Sequence, residues 1–534
     1  LRYDFDLLIR NASVIIGDAS PAIRADIGIV GSVIATIGSI PAEATSRDVI
    51  DATGLTVTPG FIDIHTHADI ALLANPVHLP KVMQGVTTEV FTNCGLGFAP
   101  ITDVGIQIQR RYIAGLFGDD GNSPTQGDGT TSAKRVSWSW RSVADLLTEY
   151  ESAGIGTNVA YLIPHGSVRV SVMGMEERAA DSGELERMRS MVAQGMEEGA
   201  WGISTGIWYA PMRSADRAEL VCLFREAGLF ATHQRDYGPQ LFEATAESLA
   251  IAQEAGVPVQ ISHLQMNGPG NRGKAGELLA QLDDAIRSGI DVTCDTYPYT
   301  AGSTFIQSIL PKSAAEEGPD QILKLLSNPE TCSNIINYID GLSNEWSEYN
   351  LVGATSRFNA AYEGLTFPEV AAARGLRISE WICAVLLEED LRACFVHHGA
   401  HEENVRDILQ WGPQMVGSDG LHLPGKTHPR LYGTFPRVLG YYVREEKVIS
   451  LEQGIHKMTG APAKRLGLKD RGWLREGLAA DLVIVDTEKV LDTATFTEPL
   501  HFPDGIVHVF VNGTAVKRDG VATGVLAGRV LRKG

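Results

Sequence analysis

The sequence predicts an α/β protein: a (β/α)8 barrel of the TIM type, a small β-sandwich domain built from both termini, and an inserted helical segment. Three observations lead there. Eight short apolar runs, at 61–65, 87–92, 158–165, 201–205, 229–233, 257–263, 292–297 and 414–419, alternate with amphipathic helical stretches. That is the pattern of buried parallel strands joined by crossover helices. The two ends have another texture, of short strands punctuated by Gly and Asn. Residues of metal-ligand type recur at the C-terminal ends of the apolar runs, where a barrel of this kind gathers its active site.

In chain order, short strands are expected at 6–10, 12–16, 26–30 and 33–37. The far end repeats them at 480–486 and 506–513. Neither end has a core of its own, so 1–59 and 465–534 are expected to pair as one β-domain. Residues 60–464 then form the barrel, with helical patterns such as 183–192 between the strands. Two gaps exceed a simple crossover. One, 101–157, contains the Gly/Asp/Ser/Thr-rich patch 118–133 and is expected to be an exposed loop. The other, 305–395, is helical in texture and reads as an insertion, a lid over one end of the barrel.

Composition narrows the function. Of 534 residues, 44% are hydrophobic and 21% charged, ordinary for a soluble globular protein. A net charge of -20 argues against nucleic acid or an anionic membrane as the main partner. No apolar run reaches the length of a bilayer span. Leu1-Arg2-Tyr3-Asp4-Phe5-Asp6 has neither the basic nor the apolar region of a secretory signal. The six cysteines show no C-x-x-C spacing. Free thiols in a reducing, cytoplasmic compartment, or one metal ligand, are therefore expected rather than a disulfide framework.

The chemistry concentrates in Gly60-Phe61-Ile62-Asp63-Ile64-His65-Thr66-His67. Residues two apart on a strand share a face, so both imidazoles can address one metal. The later runs end at Asn93-Cys94, His165, His233, His263 and Asp419. His, Cys thiolate and carboxylate are the zinc donors. Asp419, a carboxylate at such a strand end, is of the type that serves as a general base and acid. His165 and His67 are candidates to orient a substrate or steady an oxyanion. Arg430 offers two parallel donors to a carboxylate.

His65-Thr66-His67, Gln84-Gly85-Val86-Thr87-Thr88 and Asn93-Cys94-Gly95 resemble the amidohydrolase superfamily, and within it the N-acyl-D-amino-acid deacylases (D-aminoacylases). The resemblance continues through Thr232-His233-Gln234-Arg235, Ile261-Ser262-His263, Tyr297-Pro298-Tyr299-Thr300-Ala301-Gly302-Ser303-Thr304, Gly417-Ser418-Asp419-Gly420 and His428-Pro429-Arg430-Leu431. It implies a tightly bound Zn2+ on Cys94, His233 and His263. It implies a second, weaker site on His65, His67 and Asp419, with Cys94 as a bridge. Asp419 would be the catalytic acid/base, and Arg430, Tyr297 and Ser303 would hold the carboxylate of a small N-acyl amino acid. Gln265, Tyr237 and Ala68 depart from the family pattern. They keep open a rival amidohydrolase reaction on a cyclic amide, a carbamoyl group or a D-peptide. A non-catalytic barrel predicts a lost ligand or base, and none is missing.

Overall fold

The structure is a computed structural model that describes residues 3–117, 134–315 and 318–534. Within the loop expected over 101–157, the patch 118–133 lies outside the described residues, and the flanks are not loop but carry the helices Asp103–Tyr112 and Val143–Ala153.

The barrel strands form one parallel circle. Phe61–Asp63 pairs with Val86–Phe91, and that strand with Asn158–Tyr161. Past Leu162 the third strand continues as Ile163–Pro164. It is followed by Ile203–Gly206, Phe230–His233, Val259–Ile261, Val292–Thr296 and Gln414–Val416, each parallel to the last. The circle closes at the C-terminal rim. There Gly420–Leu421 and Thr66–His67, the continuations of the last and first strands, pair in parallel. All eight predicted runs supply strands of this circle.

Side chains alternate across the barrel wall, as the strand period requires. Ile62, Ile64, Val90, Ala160, Leu162, Ala231 and Met415 share one cluster, a filled barrel interior. Phe61, Val86 and Val416 belong to another, with Val82, Phe435 and Val438. The helix expected at 183–192 spans Ser182–Glu197. It opens on a capping box between Asp181 and Glu184, and buries Met188 and Val192. Such a cap contributes about 1 kcal/mol.

Both termini build one nine-stranded sheet, in which Leu482–Val485 lies beside Thr56–Pro59. The long strand Phe5–Val14 splits it: residues 5–10 pair with Ser46–Asp51, whereas 13 and 14 pair with Thr56–Pro59. Along Leu482–Val485 the period of two divides the packing. Leu482 and Ile484 join the core of the β-domain, and Val483 and Val485 join the cluster of Phe61 and Phe435 on the barrel side.

The insertion differs from its expected all-helical texture. Its helices accompany a three-stranded antiparallel sheet of Gly302–Phe305, Cys394–His397 and Tyr349–Val352. Strands of four residues are too short to show a period, and their partners are remote in sequence. Among the described residues no helix is long and apolar enough to cross a membrane.

Candidate metal centre

The strand ends bring the predicted donors together. Three overlapping groups have their ligand atoms within 4.8 Å of one another: His65, His67 and Cys94; Cys94, His233 and His263; His65, His263 and Asp419. All six side chains are buried. Backbone geometry turns several of them inward. Cys94, His263 and Asp419 have φ of 57°, 33° and 49°, left-handed values that cost a non-glycine residue energy and gather at functional sites. Cys94 sits in a single 3-10 turn, Asn93–Gly95, directly past the second strand. Glycines clear the space around it: a Cβ on Gly206 would collide with the Cys94 carbonyl, and one on Gly166 with the Gly95 carbonyl.

Cys94 Sγ lies 3.3 Å from Nε2 of both His65 and His263. Asp419 Oδ1 lies 3.1 Å from His67 Nε2 and 3.5 Å from His65 Nε2. Its Oδ2 is 2.9 Å from Arg430 Nη1. Arg430, fully buried, stacks over the Tyr297 ring at 4.5 Å and donates from Nη2 to the Ser303 carbonyl at 3.2 Å. The three residues expected to hold a carboxylate are therefore neighbours, and Arg430 links them to Asp419. Arg430 Nε, Ser303 Oγ and the Nδ1 atoms of His67 and His233 are buried without a protein hydrogen-bond partner. Orphaned groups of this kind are costly unless a ligand satisfies them.

Electrostatics sharpen the division of roles. Burial would lift the Asp419 carboxyl, but Arg430 and then His65 outweigh it and hold the group well below the usual range. Burial drives His233 well down and His263 to about 4, so both rings are neutral, the form that binds a metal. Burial lifts the Cys94 thiol to about 11 against the pull of His65. A cation beside a coordinating thiol reverses that logic and deprotonates it. The donor chemistry, the mutual distances and the orphaned His233 Nδ1 all fit a zinc ion.

One predicted member stands outside these groups. His165 Nδ1 lies 2.9 Å from Thr205 Oγ1, and Nε2 lies 2.8 Å from Glu219 Oε1. Glu219 is also paired with Arg169. Both ring nitrogens of His165 are thus engaged within the protein, apart from the donor groups. Two residues that went unread take over part of the framework. Asp295 Oδ1 lies 3.0 Å from His65 Nδ1 and accepts from the His263 backbone at 2.8 Å, while Gln260 donates to its other oxygen. Its signal was a charge inside the 292–297 run. Asp63 Oδ1 accepts from the Ser418 backbone at 2.8 Å, and Lys81 donates to Oδ2 at 2.7 Å. A charge inside the apolar run 61–65 was its signal. Gln265 and Tyr237, the departures from the family pattern, are buried and donate to backbone carbonyls of Tyr299 and Ser262.

A closed parallel barrel with this donor set at its C-terminal rim defines an amidohydrolase-type scaffold. Residues 48–517 match the profile described as "Amidohydrolase family", and the chain belongs to that family. It is 35% identical over 537 residues to D-aminoacylase of Alcaligenes xylosoxydans xylosoxydans, covering 99% of this chain and 98% of that protein. It superposes with a TM-score of 0.81, at 33% identity, on a D-aminoacylase structure described for its binuclear metal centre, with one-metal activation and second-metal attenuation; the match covers 99% of this chain and 100% of that one. A third likeness is N-acyl-D-glutamate deacylase of Bordetella bronchiseptica, solved with zinc and a phosphonate that mimics the tetrahedral intermediate. There the TM-score is 0.80 at 30% identity, covering 99% of this chain and all of that one.

Proposed function

We propose that this protein is a zinc-dependent hydrolase of N-acyl-D-amino acids, releasing a carboxylate and a free D-amino acid. The observation that carries the reading is the juxtaposition of Asp419 with two donor groups on one side and Arg430 on the other. Cys94, His233 and His263 would hold one zinc tightly. His65, His67 and Asp419, with Cys94 as a bridge, would form a weaker second site. Zinc there supplies a Lewis acid for the amide carbonyl and acidifies water at neutral pH.

The chain's own residues do the rest. Arg430, over Tyr297 and beside Ser303, binds the substrate carboxylate with its planar fork. That anion competes with Asp419 for the guanidinium. Binding therefore loosens the Arg430–Asp419 pair and makes the Asp419 carboxylate a better base. Asp419, steadied by His67 Nε2, takes a proton from the attacking water. It returns the proton to the amine nitrogen as the C–N bond breaks. Burial of the cluster excludes bulk water and strengthens each of these interactions.

Residues 1–59 with 465–534 are proposed as one β-domain, 60–464 as the barrel, and 305–395 as a lid. The free state of the six cysteines supports a reducing, cytoplasmic setting. A panel of N-acyl-D- and N-acyl-L-amino acids, with a hydantoin and a D-dipeptide alongside, tests the activity. Turnover confined to the N-acyl-D compounds is expected. Zinc-loaded protein that turns over none of them would refute the reading.

A further inference from the structure

We infer that Glu363 is a positioning residue: its carboxylate latches the insertion onto the loop that runs from Asp419 to Arg430, and so sets where those two side chains stand. The inference rests on the deacylase reading only in taking Asp419 and Arg430 as the acting pair.

The loop is pinned at both ends. Asp419 N donates to the His65 carbonyl at 2.8 Å. At the other end His428 Nε2 lies 2.9 Å from the Ala301 carbonyl, and Arg430 N donates to His428 Nδ1 at 3.0 Å. Between those pins, Glu363 reaches in from the insertion. One carboxylate oxygen accepts from Ala354 N at 2.9 Å and the other from Lys426 N at 3.0 Å. One carboxylate thus spans two chain segments. Gly353 N adds a bond to the Lys426 carbonyl at 3.3 Å, and Leu423 packs against Gly353. Gly425 has φ +65, and a Cβ there would collide with both Glu363 oxygens. The loop is shaped to admit this one carboxylate.

Two backbone N–H groups need two acceptors, and an ionised carboxylate supplies both. Glutamine supplies one acceptor and turns an NH2 toward the other N–H. The titratable groups facing Glu363 are the Lys426 ammonium, from the loop, and the Cys394 thiol, from strand Cys394–His397. Burial lifts the Glu363 carboxyl to about 7, against the pull of the two N–H groups and Lys426. The sign follows. A carboxyl lifted by burial stabilises the closed latch most below its ordinary solvent range, and that contribution is lost as pH rises through about 7, so the latch loosens.

The test uses full-length zinc-loaded enzyme and Glu363→Gln. Hydrogen exchange is followed over 353–364 and 420–428, and kcat/KM for N-acetyl-D-methionine is measured from pH 6 to 8. At pH 8 the Ala354 and Lys426 amides are expected to exchange about 10-fold faster in E363Q. We expect kcat/KM to fall roughly 10-fold with zinc content unchanged. The wild-type fall through pH 7 is expected to flatten. Gly425→Ala, which displaces the carboxylate without removing it, should reproduce the loss, and the double variant should add little to it. Wild-type exchange in E363Q, or faster exchange with kcat/KM and its pH profile unchanged, would overturn the inference. Exchange needs no substrate, so inactive wild-type enzyme would count against the deacylase reading and leave the latch to be judged on exchange.

Discussion

At the scale of single residues, the role proposed for Asp419 asks two things of it that oppose each other. It must stay ionised in a buried site, which Arg430 and His65 ensure, and yet be basic enough to take a proton from water. In the proposed mechanism, substrate binding at Arg430 reconciles the two. Asp419→Asn keeps the shape and removes the base, so turnover should fall by roughly 10²–10⁴-fold. Plasma mass spectrometry should show the zinc proposed for Cys94, His233 and His263 retained, because that set is untouched. Asp295 acts at one remove. It orients His65 through Nδ1 and holds the His263 backbone. Removing an outer partner of a ligating histidine costs about 10–100-fold in metal affinity. Asp295→Ala should show that loss in a competitive zinc titration. These roles were unevenly legible in the sequence. His65, His67, Cys94, His233, His263 and Asp419 could be read because strand-end position and residue type coincide. His165 met the same two criteria and is engaged elsewhere. Position says where an imidazole sits, and only its neighbours, Thr205 and Glu219, say whether its nitrogens are free. Asp295 was passed over because it carries no donor-spacing motif.

At the scale of elements, the first and last barrel strands are joined by more than their short pairing. Asp63, from the first, accepts from the Ser418 backbone next to Asp419, and Lys81 donates to Asp63 and to Ser418. This buried clamp ties the H-x-H strand to the strand that delivers Asp419. Lys81→Met strands the Asp63 charge, and breaking a buried pair in this way costs about 3–5 kcal/mol. Urea unfolding should show a loss of that size; a loss below about 1 kcal/mol, the size of a surface pair, would remove the clamp from the account. The barrel strands were legible for a physical reason. Strands buried on both faces are rich in apolar residues; Val86–Phe91 is buried throughout, with Thr87, Thr88 and Glu89 its polar members. The sheet inside the insertion was not. Gly302–Phe305 is a four-residue strand of Gly, Ser, Thr and Phe, and its pairing with Cys394–His397 is fixed by tertiary contact rather than by local pattern.

At the scale of the whole molecule, the chain brings distant segments to one rim. Eight parallel strands close through Thr66–His67 and Gly420–Leu421. The closure sets His65 and His67, near one end of the chain, against Asp419 and Arg430, more than three hundred residues on. The β-domain of both termini packs Val483 and Val485 with Phe61 and Phe435, bracing the first strand from outside. The insertion reaches the Asp419–Arg430 loop through Glu363. The donor groups, Asp419 and Arg430 thus stand together on the barrel rim, which the β-domain and the insertion both contact. The most direct test of the central claim is zinc content per chain, measured on the same sample as amine release from N-acetyl-D- and N-acetyl-L-methionine. One or two zinc ions with release from the D compound alone is the expected result. Bound zinc with no release from the D compound, or full release without zinc, would contradict it.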